Sequence, residues 1–453
     1  MKQASSKKEV AIIGAGLVGS LLSVFLTRRG YKVRLFERRA DIRKDLEARG
    51  RSINLALSDR GLRALEKLGL SNDIKNIAIP MEGRQIHNAD GTQAFQPYGK
   101  KGQFINSVSR SELNKMLLNV AEENGVNICF NYKLKEVDWK DNCMQFELPG
   151  NQSISTTAFD LVFGADGAYS ASRNELRLHS DRFNYHQFYI DCGYKELKIA
   201  ARPDGSPAIG LNALHIWPRN DFMLIALPNP DNSFTCTLFF PFEGEQSFEK
   251  LDSEEKVKSF FENTFPDAVP LMPNLIDDFF HNPTSSLVTV DCFPWIRNGQ
   301  FALIGDAAHA MVPFYGQGMN CGFEDCVVLD DLLDQMGDDN WQEILKVYQD
   351  LRKPDADAIT QLALENFIEM RAKTADPDFL LQKKIEAKLN ERYPDKWIPA
   401  YSLVTFSPEI RYSEALAKAR KQEAIMQEVM KQNVHEADYT SEQFLETIIS
   451  KLN

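Results

Sequence analysis

Three turns in this sequence each place glycine and a polar group directly after an apolar run. They are Gly14-Ala-Gly16-Leu-Val-Gly19, "GADG" at residues 164–167 and "GDAAH" at residues 305–309. Glycine permits a tight turn and lets the main chain come close to a phosphate, whose charge then lies at the N-terminus of the following helix. These residue types therefore indicate a binding site for a long, phosphate-containing ligand.

The first turn has the sequence context that a dinucleotide site requires. It follows a strand-like segment, 9–14, and precedes a helix pattern at 17–29. An acidic residue, Glu37, stands at the end of the next strand, 32–37. This is one right-handed βαβ unit. The Glu37 carboxylate would accept hydrogen bonds from an adenosine ribose, which disfavours a 2′-phosphate there. An accidental tight turn is the alternative, because G-x-G-x-x-G alone is a weak signal; the context favours FAD or NAD.

The other two turns are difficult to explain by NAD alone. A longer cofactor lying across the sheet edge would need them, and FAD fits with its adenosine at the first turn and its ribityl chain at the third. Asp306 would then accept a hydrogen bond from a ribityl hydroxyl. The helix N-terminus in "GQGMN", residues 316–320, would direct backbone N–H groups at the N1–C2=O edge of the flavin and stabilise the reduced anion. Asp166 either serves the ligand or only shapes its turn.

The elements that position these turns predict an α/β protein with more than one core, as 453 residues allow. Residues 1–180 and 290–335 are predicted to form a discontinuous Rossmann-like FAD-binding domain. Residues 181–289 read as a mixed β-sheet substrate domain, to which residues 70–105 contribute. Residues 336–453 are predicted to form a helical C-terminal region that covers the active site.

Several individual elements follow from periodicity. Helices are predicted at 59–69, 109–124 and 320–335, and a buried strand at 301–305. The stretch containing Gly83, Gly91, Pro97 and Gly99 reads as irregular. The segment 413–435 is polar enough to predict a solvated helix.

Composition excludes several classes of function. A net charge of −12 argues against nucleic-acid binding, which would need a basic face. Seven scattered cysteines without a C-x-x-C pair fit reduced thiols, and no signal-peptide pattern or run of eighteen apolar residues occurs. The seven histidines show no metal-ligand spacing, so no metal is expected. The C-terminal "YTSEQFLETIISKLN" is short and mixed, which predicts a cytoplasmic protein without a membrane anchor.

The joint occurrence of the three turns resembles the class A flavoprotein aromatic hydroxylases of the para-hydroxybenzoate hydroxylase type. Further segments, spread from Gly14 to Ser407, resemble the branch of this family that hydroxylates L-kynurenine: "FERRADIRKDLEARGRSINLALSDRG", "MEGRQIH", "QPYGK", "NALHIWPR", "VPFYGQGMNCGFED", "ALENFIEM" and "YSLVTFS". Flavin halogenases carry W-x-W-x-I-P, whereas "FPWIRNG" offers only Trp295. A non-catalytic binding protein of the Rab escort type is the alternative from another class, and the three retained turns argue against it.

The resemblance implies a specific reaction. FAD would be reduced by NADPH, a transient co-substrate without its own Rossmann domain, and O₂ would form a flavin C4a-hydroperoxide. Oxygen transfer ortho to the ring amine would give 3-hydroxy-L-kynurenine, for tryptophan catabolism or NAD synthesis. Because that amine already donates electron density to the ring, no essential protein nucleophile or acid–base pair is expected, and the cofactor carries the chemistry. The residues do not fix an oligomeric state, and a homodimer is compatible with them.

The resemblance also implies which residues of this sequence bind the substrate and the cofactor. A clamp for the amino-acid end of the substrate is implied at Arg84, Tyr98, Asn366 and Tyr401, and Glu369 would either meet the substrate ammonium or be solvated. Flavin-binding residues are implied at Gly14, Gly16, Val18, Gly19, Glu37, Arg38, Ala56, Arg110, Leu134, Asp306, Gly318, Met319 and Asn320. A cation at a helix start, as at Arg110, is disfavoured by the dipole unless it faces an anion. Without the resemblance, Arg84 reads as a loop surface charge and Tyr401 as a packing residue. Tyr315 varies within the family and receives no catalytic role.

Overall fold

Nineteen strands form four sheets in the computed structural model, which describes residues 8–44, 54–141, 143–150, 152–156, 158–369, 377–432 and 441–452. In chain order the strands are β1 (Glu9–Ile13), β2 (Lys32–Glu37), β3 (Asn54–Leu57), β4 (Ala78–Met81), β5 (Gly83–His87), β6 (Gln93–Pro97), β7 (Ile105–Ser109), β8 (Asn127–Phe130), β9 (Lys133–Asp138), β10 (Cys143–Leu148), β11 (Gln152–Ser155), β12 (Leu161–Gly164), β13 (Asn184–Ile199), β14 (Ala213–Arg219), β15 (Phe222–Pro228), β16 (Phe234–Phe240), β17 (Ser285–Phe293), β18 (Ile296–Arg297) and β19 (Phe301–Leu303).

The α-helices connect and cover these sheets. They are α1 (Leu17–Arg28), α2 (Asp59–Lys67), α3 (Ser71–Lys75), α4 (Arg110–Glu123), α5 (Ala171–Leu178), α6 (Glu254–Thr264), α7 (Leu275–His281), α8 (Asp306–His309), α9 (Gly318–Met336), α10 (Trp341–Ile368), α11 (Pro377–Arg392), α12 (Ala400–Phe406), α13 (Tyr412–Met430) and α14 (Glu442–Ser450). The predicted helices at 59–69, 109–124 and 320–335 are present, with ends that differ by at most two residues.

The six-stranded sheet brings the three turns together. Its order is β18-β19-β12-β1-β2-β8, and β1 pairs in parallel with both β12 and β2 while β12 pairs in parallel with β19. The strands β1, β12 and β19 are apolar and almost wholly buried, as expected when both faces of a parallel sheet are covered. Parallel neighbours end at the same edge, so the turns that follow these strands lie side by side. The predicted convergence is confirmed, and the chain is an α/β protein with a Rossmann-like sheet.

The seven-stranded sheet, ordered β17-β13-β16-β15-β14-β5-β6, corrects one prediction. The stretch around Gly83 and Pro97 is not irregular, because β5 pairs in parallel with β14 and antiparallel with β6. The partner β14 lies more than a hundred residues further along the chain, so no local pattern could indicate this pairing. Tertiary pairing here overrides the weak strand propensity of a glycine- and proline-containing segment.

A buried polar chain lies within the seven-stranded sheet. His215 donates from Nε2 to the carbonyl of Gly210 at 2.7 Å, and its Nδ1 lies 2.9 Å from Nε2 of His87. The other ring nitrogen of His87 lies 2.9 Å from the Asp267 carboxylate. Because a carbonyl can only accept, the proton of neutral His215 is on Nε2, and its Nδ1 faces Nε2 of His87. Burial lowers the pKa of His215 to about 4.

The C-terminal helices pack on the rest of the chain instead of standing in solvent. The prediction of a solvated helix at 413–435 is wrong, because α13 buries Ile425, Met426 and Val429 in a core shared with α11 and α14. The charged residues of α13 had obscured its apolar stripe.

The seven cysteines are all free thiols, as their scatter predicted. In the described part of the chain, no helix combines the length and apolar character needed to cross a bilayer. The cytoplasmic location stays a prediction, as do the domain boundaries.

Candidate active site

The first turn uses its three glycines for two different purposes. A Cβ at Gly14, where φ is +102°, would lie 2.5 Å from the carbonyl oxygen of Ala165 in the second turn, and a Cβ at Gly19 would lie 1.9 Å from the carbonyl oxygen of Gly14. Gly16 is the N-cap of α1, and a Cβ there would meet nothing within 4 Å. Gly14 thus lets the first turn pack on the second, Gly19 lets α1 pack on its own turn, and Gly16 leaves the helix N-terminus open for an anion.

Glu37 is held beside this turn. One carboxylate oxygen accepts from the main-chain N–H of Ala15 at 3.0 Å, and the other accepts from that of Arg39 at 2.9 Å. Each carboxylate oxygen has a further lone pair, so ribose hydroxyls can still donate to this group. Arg38, the residue after the end of β2, is exposed. This geometry fits the adenosine end of a dinucleotide.

The second turn decides between the two interpretations of Asp166. Asp166 is half-buried, and its carboxylate accepts from the hydroxyl of Ser170, the N-cap of α5, and from the main-chain N–H of Ser172 at 3.0 Å. Burial raises the pKa of Asp166, against the effect of these hydrogen bonds. Asp166 therefore shapes its own turn.

Arg173 connects the second and third turns. Its guanidinium donates to the carbonyl of Ala168 at 2.6 Å and to that of Ala307 at 2.9 Å. No pattern in the sequence indicated this connection. A buried arginine that joins two main-chain segments fixes their spacing, which a ligand lying across both turns would require.

The third turn presents an acid with spare hydrogen-bonding capacity. Asp306 is the first residue of α8 and is half-buried, and its carboxylate has no hydrogen-bond partner among the described residues. Gly305, before it, has φ of +61°, and a Cβ there would press on Val18 at 3.0 Å. The carboxylate is thus available for a hydroxyl group of a ligand, as the ribityl role of Asp306 requires.

A buried ion network supports the third turn from behind. Asp325 accepts from the N–H of Gly305 at 3.0 Å, from His309 Nε2 at 2.7 Å and from Arg352 Nε at 2.6 Å. Burial opposes ionisation of Asp325, but the charges of His309 and Arg352 outweigh it, so the pKa of Asp325 is lowered. Burial likewise opposes the charged form of His309, yet Asp325 holds the pKa of His309 well above its usual value.

This network includes a group that could be mistaken for a metal site. His309, Cys321 and Asp325 bring their ligand atoms within 4.8 Å of one another. The guanidinium of Arg352 lies 3.3 Å from the Cys321 sulfur and already pairs with Asp325. A fixed cation at that place opposes binding of a metal ion.

Asn320 fixes the N-terminus of α9. Its side-chain amide donates to the carbonyls of Ala56 and Gly316, both at 2.8 Å, and its oxygen accepts from the N–H of Ser58 at 3.0 Å. The amide nitrogen and the oxygen of this side chain therefore both have hydrogen-bond partners within the protein. The first main-chain N–H groups of a helix have no partner inside it, so those of Gly318 and Met319 are available to a ligand.

The other residues implied for flavin binding take several positions. Val18 packs against Gly305, Leu134 lies in the main core, and Arg110 is exposed at the first position of α4. Contact of these three residues with a flavin stays a prediction.

The residues implied for substrate binding form an aromatic enclosure around Arg84. The guanidinium carbon lies 4.6 Å from the centre of the Tyr401 ring and 5.5 Å from that of Tyr98, and these rings stack at 5.6 Å. Tyr315 lies 5.3 Å from Tyr401 and is buried, although the sequence assigned it no role. Its position one residue before the glycine of the flavin loop was the only signal. Burial raises the pKa of all three tyrosines, so each hydroxyl keeps its proton.

Arg84 has an unmet hydrogen-bonding requirement. Its Nε is buried and has no partner among the described residues, and an unpaired buried donor costs roughly 1–3 kcal/mol. Burial opposes the charge, but the surrounding Tyr401, Tyr98 and Glu369 outweigh it and raise the pKa of Arg84. The site therefore presents a permanent cation with a free donor, which suits a carboxylate.

Asn366, on α10, and Glu369, the C-cap of that helix, lie beside this enclosure. Asn366 donates to the carbonyl of Phe314 at 2.7 Å and so ties α10 to the loop that carries Tyr315. Glu369 lies 3.5 Å from the ammonium of Lys383 on α11. The structure gathers Arg84, Tyr98 and Tyr401 directly, and Asn366 through this loop.

Known proteins resemble this chain along most of its length. A family model described as an FAD binding domain matches residues 7–363. The kynurenine 3-monooxygenase of Flavobacterium psychrophilum is 49% identical over 98% of this chain and 99% of its own length. That of Flavobacterium johnsoniae is 50% identical over 93% and 94% of the two chains, and that of Dictyostelium discoideum is 44% identical over 94% of each.

Solved structures share the fold at low identity. The tetrameric form of 2-methyl-3-hydroxypyridine-5-carboxylic acid oxygenase aligns with a TM-score of 0.66 at 21% identity, over 82% of this chain and 95% of its own. Pseudomonas aeruginosa PqsL in complex with 2-aminobenzoylacetate aligns with a TM-score of 0.64 at 19% identity, over 81% and 97%.

Proposed function

The chain belongs to the kynurenine 3-monooxygenase family of FAD-dependent enzymes, and on that premise we propose that it hydroxylates L-kynurenine to 3-hydroxy-L-kynurenine with NADPH and O₂. The observation that carries the choice of substrate is the unpaired Nε of Arg84 within three tyrosines. A substrate with a carboxylate next to an aromatic ring matches both halves of this enclosure.

The clamp acts by orientation. Arg84 forms a charge-assisted pair with the substrate carboxylate, and the hydroxyls of Tyr98 and Tyr401 donate further hydrogen bonds to it. Such fixed donors hold the aromatic ring at one distance and angle from the cofactor, which contributes to rate by removing alternative orientations. Asn366 keeps the Tyr315 loop closed over the ring, and Glu369 either meets the substrate ammonium or stays with Lys383.

The flavin-binding residues have a corresponding division of work. When bound, FAD would supply the redox chemistry, taking electrons from NADPH and activating O₂ for transfer of one oxygen atom to the substrate ring. Glu37 accepts hydrogen bonds from the adenosine ribose, Gly16 gives the pyrophosphate access to α1, and Asp306 accepts from the ribityl chain. The N–H groups of Gly318 and Met319 stabilise negative charge on the flavin ring.

The experiment is an NADPH-oxidation assay with product mass, run against a panel that includes L-kynurenine and its decarboxylated analogue kynuramine. L-kynurenine should gain one oxygen, and kynuramine should lose about 100-fold in kcat/KM because nothing pairs with Arg84. Equal turnover of the two compounds would contradict the clamp. A purified protein that is colourless and does not take up added FAD would contradict the whole proposal.

A further inference from the structure

Tyr401 lies on α12 in the C-terminal region, but the side chain that holds this helix in place, Arg60, lies on α2 near the N-terminus. Arg60, on α2, has a fully buried side chain. Its Nε donates to the carbonyl of Val404 at 2.6 Å, and one terminal nitrogen is shared among the carbonyls of Leu403 at 3.4 Å, Ser407 at 3.2 Å and Ile410. One guanidinium thus binds main-chain carbonyls of the last turn of α12 and of the segment that follows it.

The remaining side of Arg60 faces α9. Its other terminal nitrogen pairs with Glu324 at 2.6 Å, and the second oxygen of Glu324 accepts from Arg352 at 2.8 Å. The guanidinium carbon lies 4.0 Å from the centre of the Tyr412 ring, whose hydroxyl donates to Gln317 at 2.9 Å. Gln317 is the N-cap of α9, the helix whose first N–H groups are available to the flavin.

The geometry of α12 makes this contact consequential. The last four carbonyls of a helix have no partner within it, and Arg60 satisfies those of Leu403 and Val404. The helix has seven residues and spans about 10 Å, too short to be stable alone. The helix therefore depends on contacts such as those of Arg60 for its structure, and so does the position of Tyr401 near its start.

We propose that Arg60 is a positioning residue of the reaction, which holds the Tyr401 ring against Arg84 and ties that helix to the N-terminus of α9. This inference rests on the proposed function for its kinetic consequences. Arginine suits the place because its planar fork serves several acceptors at once, whereas lysine presents a single compact charge. Arg60 touches neither the expected substrate nor the flavin site directly.

The test compares Arg60→Lys with Arg63→Lys in the full-length, FAD-loaded protein. Arg63 lies on the same helix, is half-exposed, and reaches Asp331 and the carbonyl of Pro408 only at 3.5 Å. Arg60→Lys should keep its FAD content, raise KM for L-kynurenine about 10-fold or more, and change kcat less than about 3-fold. Arg63→Lys should leave both unchanged. Equal behaviour of the two variants would overturn the proposal.

Combining Arg60→Lys with Tyr401→Phe distinguishes a role of Arg60 that acts through Tyr401 from a general structural role. If Arg60 acts through Tyr401, the two effects on KM are much less than multiplicative, and Arg60→Lys adds less than about 3-fold in the Tyr401→Phe background. Multiplicative effects would overturn the proposal. Should Arg60→Lys fail to fold, Glu324→Gln replaces it; it should raise KM about 3-fold or more, and an unchanged KM would count against the idea.

A readout that needs no substrate separates this inference from the proposed function. Amide hydrogen exchange of residues 401–406 should be at least about 10-fold faster in Arg60→Lys than in Arg63→Lys, whatever the enzyme acts on. Unchanged exchange would overturn the positioning role. If wild-type protein does not oxidise NADPH with L-kynurenine while exchange responds as expected, only the choice of substrate falls.

Discussion

Arg84 shows how far a single residue can be interpreted from sequence. Its pattern alone read as a surface charge in a glycine-flanked loop, and only the resemblance assigned it to the substrate. The side chain lies instead on β5 and is enclosed by Tyr98 and Tyr401. Tyr98 follows the end of β6 and Tyr401 lies on the C-terminal helix α12, so no local feature could have indicated the enclosure.

Replacing Arg84 should affect substrate binding alone. We expect Arg84→Ala to weaken L-kynurenine binding by about 2–4 kcal/mol, because the carboxylate loses its buried charge partner. Steady-state KM and the FAD absorbance spectrum measure the two sites separately, and the spectrum should not change. Gln85→Ala, on the next residue of the strand, serves as the control. An unchanged KM in Arg84→Ala would contradict the clamp.

The glycines of the first turn allow a matched comparison. Gly14→Ala forces a side chain onto a main-chain oxygen 2.5 Å away, at φ of +102°, and should lose about 1–3 kcal/mol of stability together with FAD. Gly16→Ala adds a methyl group in open space, so the apoprotein should unfold at the wild-type temperature while its affinity for FAD falls. Thermal unfolding of apoprotein and FAD titration measure these effects. Equal stability losses in the two variants would argue against the assigned roles.

The three turns were predictable at this scale because glycine and acid positions are encoded locally. The ion network of Asp325, His309 and Arg352 was not, because its members come from different elements and follow no motif. Arg60 was missed for the same reason.

At the scale of elements, α9 illustrates what sequence periodicity can and cannot give. The helix was predicted at 320–335, but its attachment to β3 through Asn320 was not. The same limitation produced the two wrong predictions, at residues 83–97 and at α13, where long-range partners decide the outcome.

Removing the Asn320 amide should loosen the start of α9. Asn320→Ala leaves the N–H of Ser58 and the carbonyl of Ala56 without their partner, and we expect a cost of about 1–3 kcal/mol in stability. Because α9 then holds its N–H groups less firmly, the Kd for FAD should rise about 10-fold. Fluorescence titration with FAD tests this, and the KM for L-kynurenine at saturating FAD should stay near the wild-type value. A Kd equal to that of the wild type would contradict the positioning role of Asn320.

At the scale of the whole molecule, two buried histidines change the stability of the fold with pH in opposite directions. The pKa of His215 is about 4 in the folded protein and about 6.5 when unfolded, so the unfolded chain binds more protons below pH 6.5 and stability falls toward pH 4. The pKa of His309 is raised, so its contribution is complete below about pH 6.5 and is lost as pH rises through the raised value.

The free energy of unfolding should therefore have a maximum near pH 6.5. Urea denaturation across pH 4–9 measures it, and His215 should contribute a slope of at most about 1.4 kcal/mol per pH unit on the acid side. His215→Asn should reduce that slope, whereas His186→Asn, at an exposed position, should not. Identical acid slopes in wild type and His215→Asn would refute the assignment.

The α/β class and the convergence of the turns could be predicted for the whole molecule, because buried parallel strands and their following turns have strong local patterns. The order of the strands within each sheet could not, since it depends on which distant segments pair.

The pairing of β12 with β19 has a consequence for synthesis of the chain. About 140 residues separate the two strands, so one edge of β12 has no neighbour until β19 leaves the ribosome. At ordinary translation rates this interval is on the order of 10 s. An open strand edge invites pairing with other chains. The nascent protein is therefore most exposed to pairing with other chains during this interval, and the three turns can come together only after about two-thirds of the chain has been made.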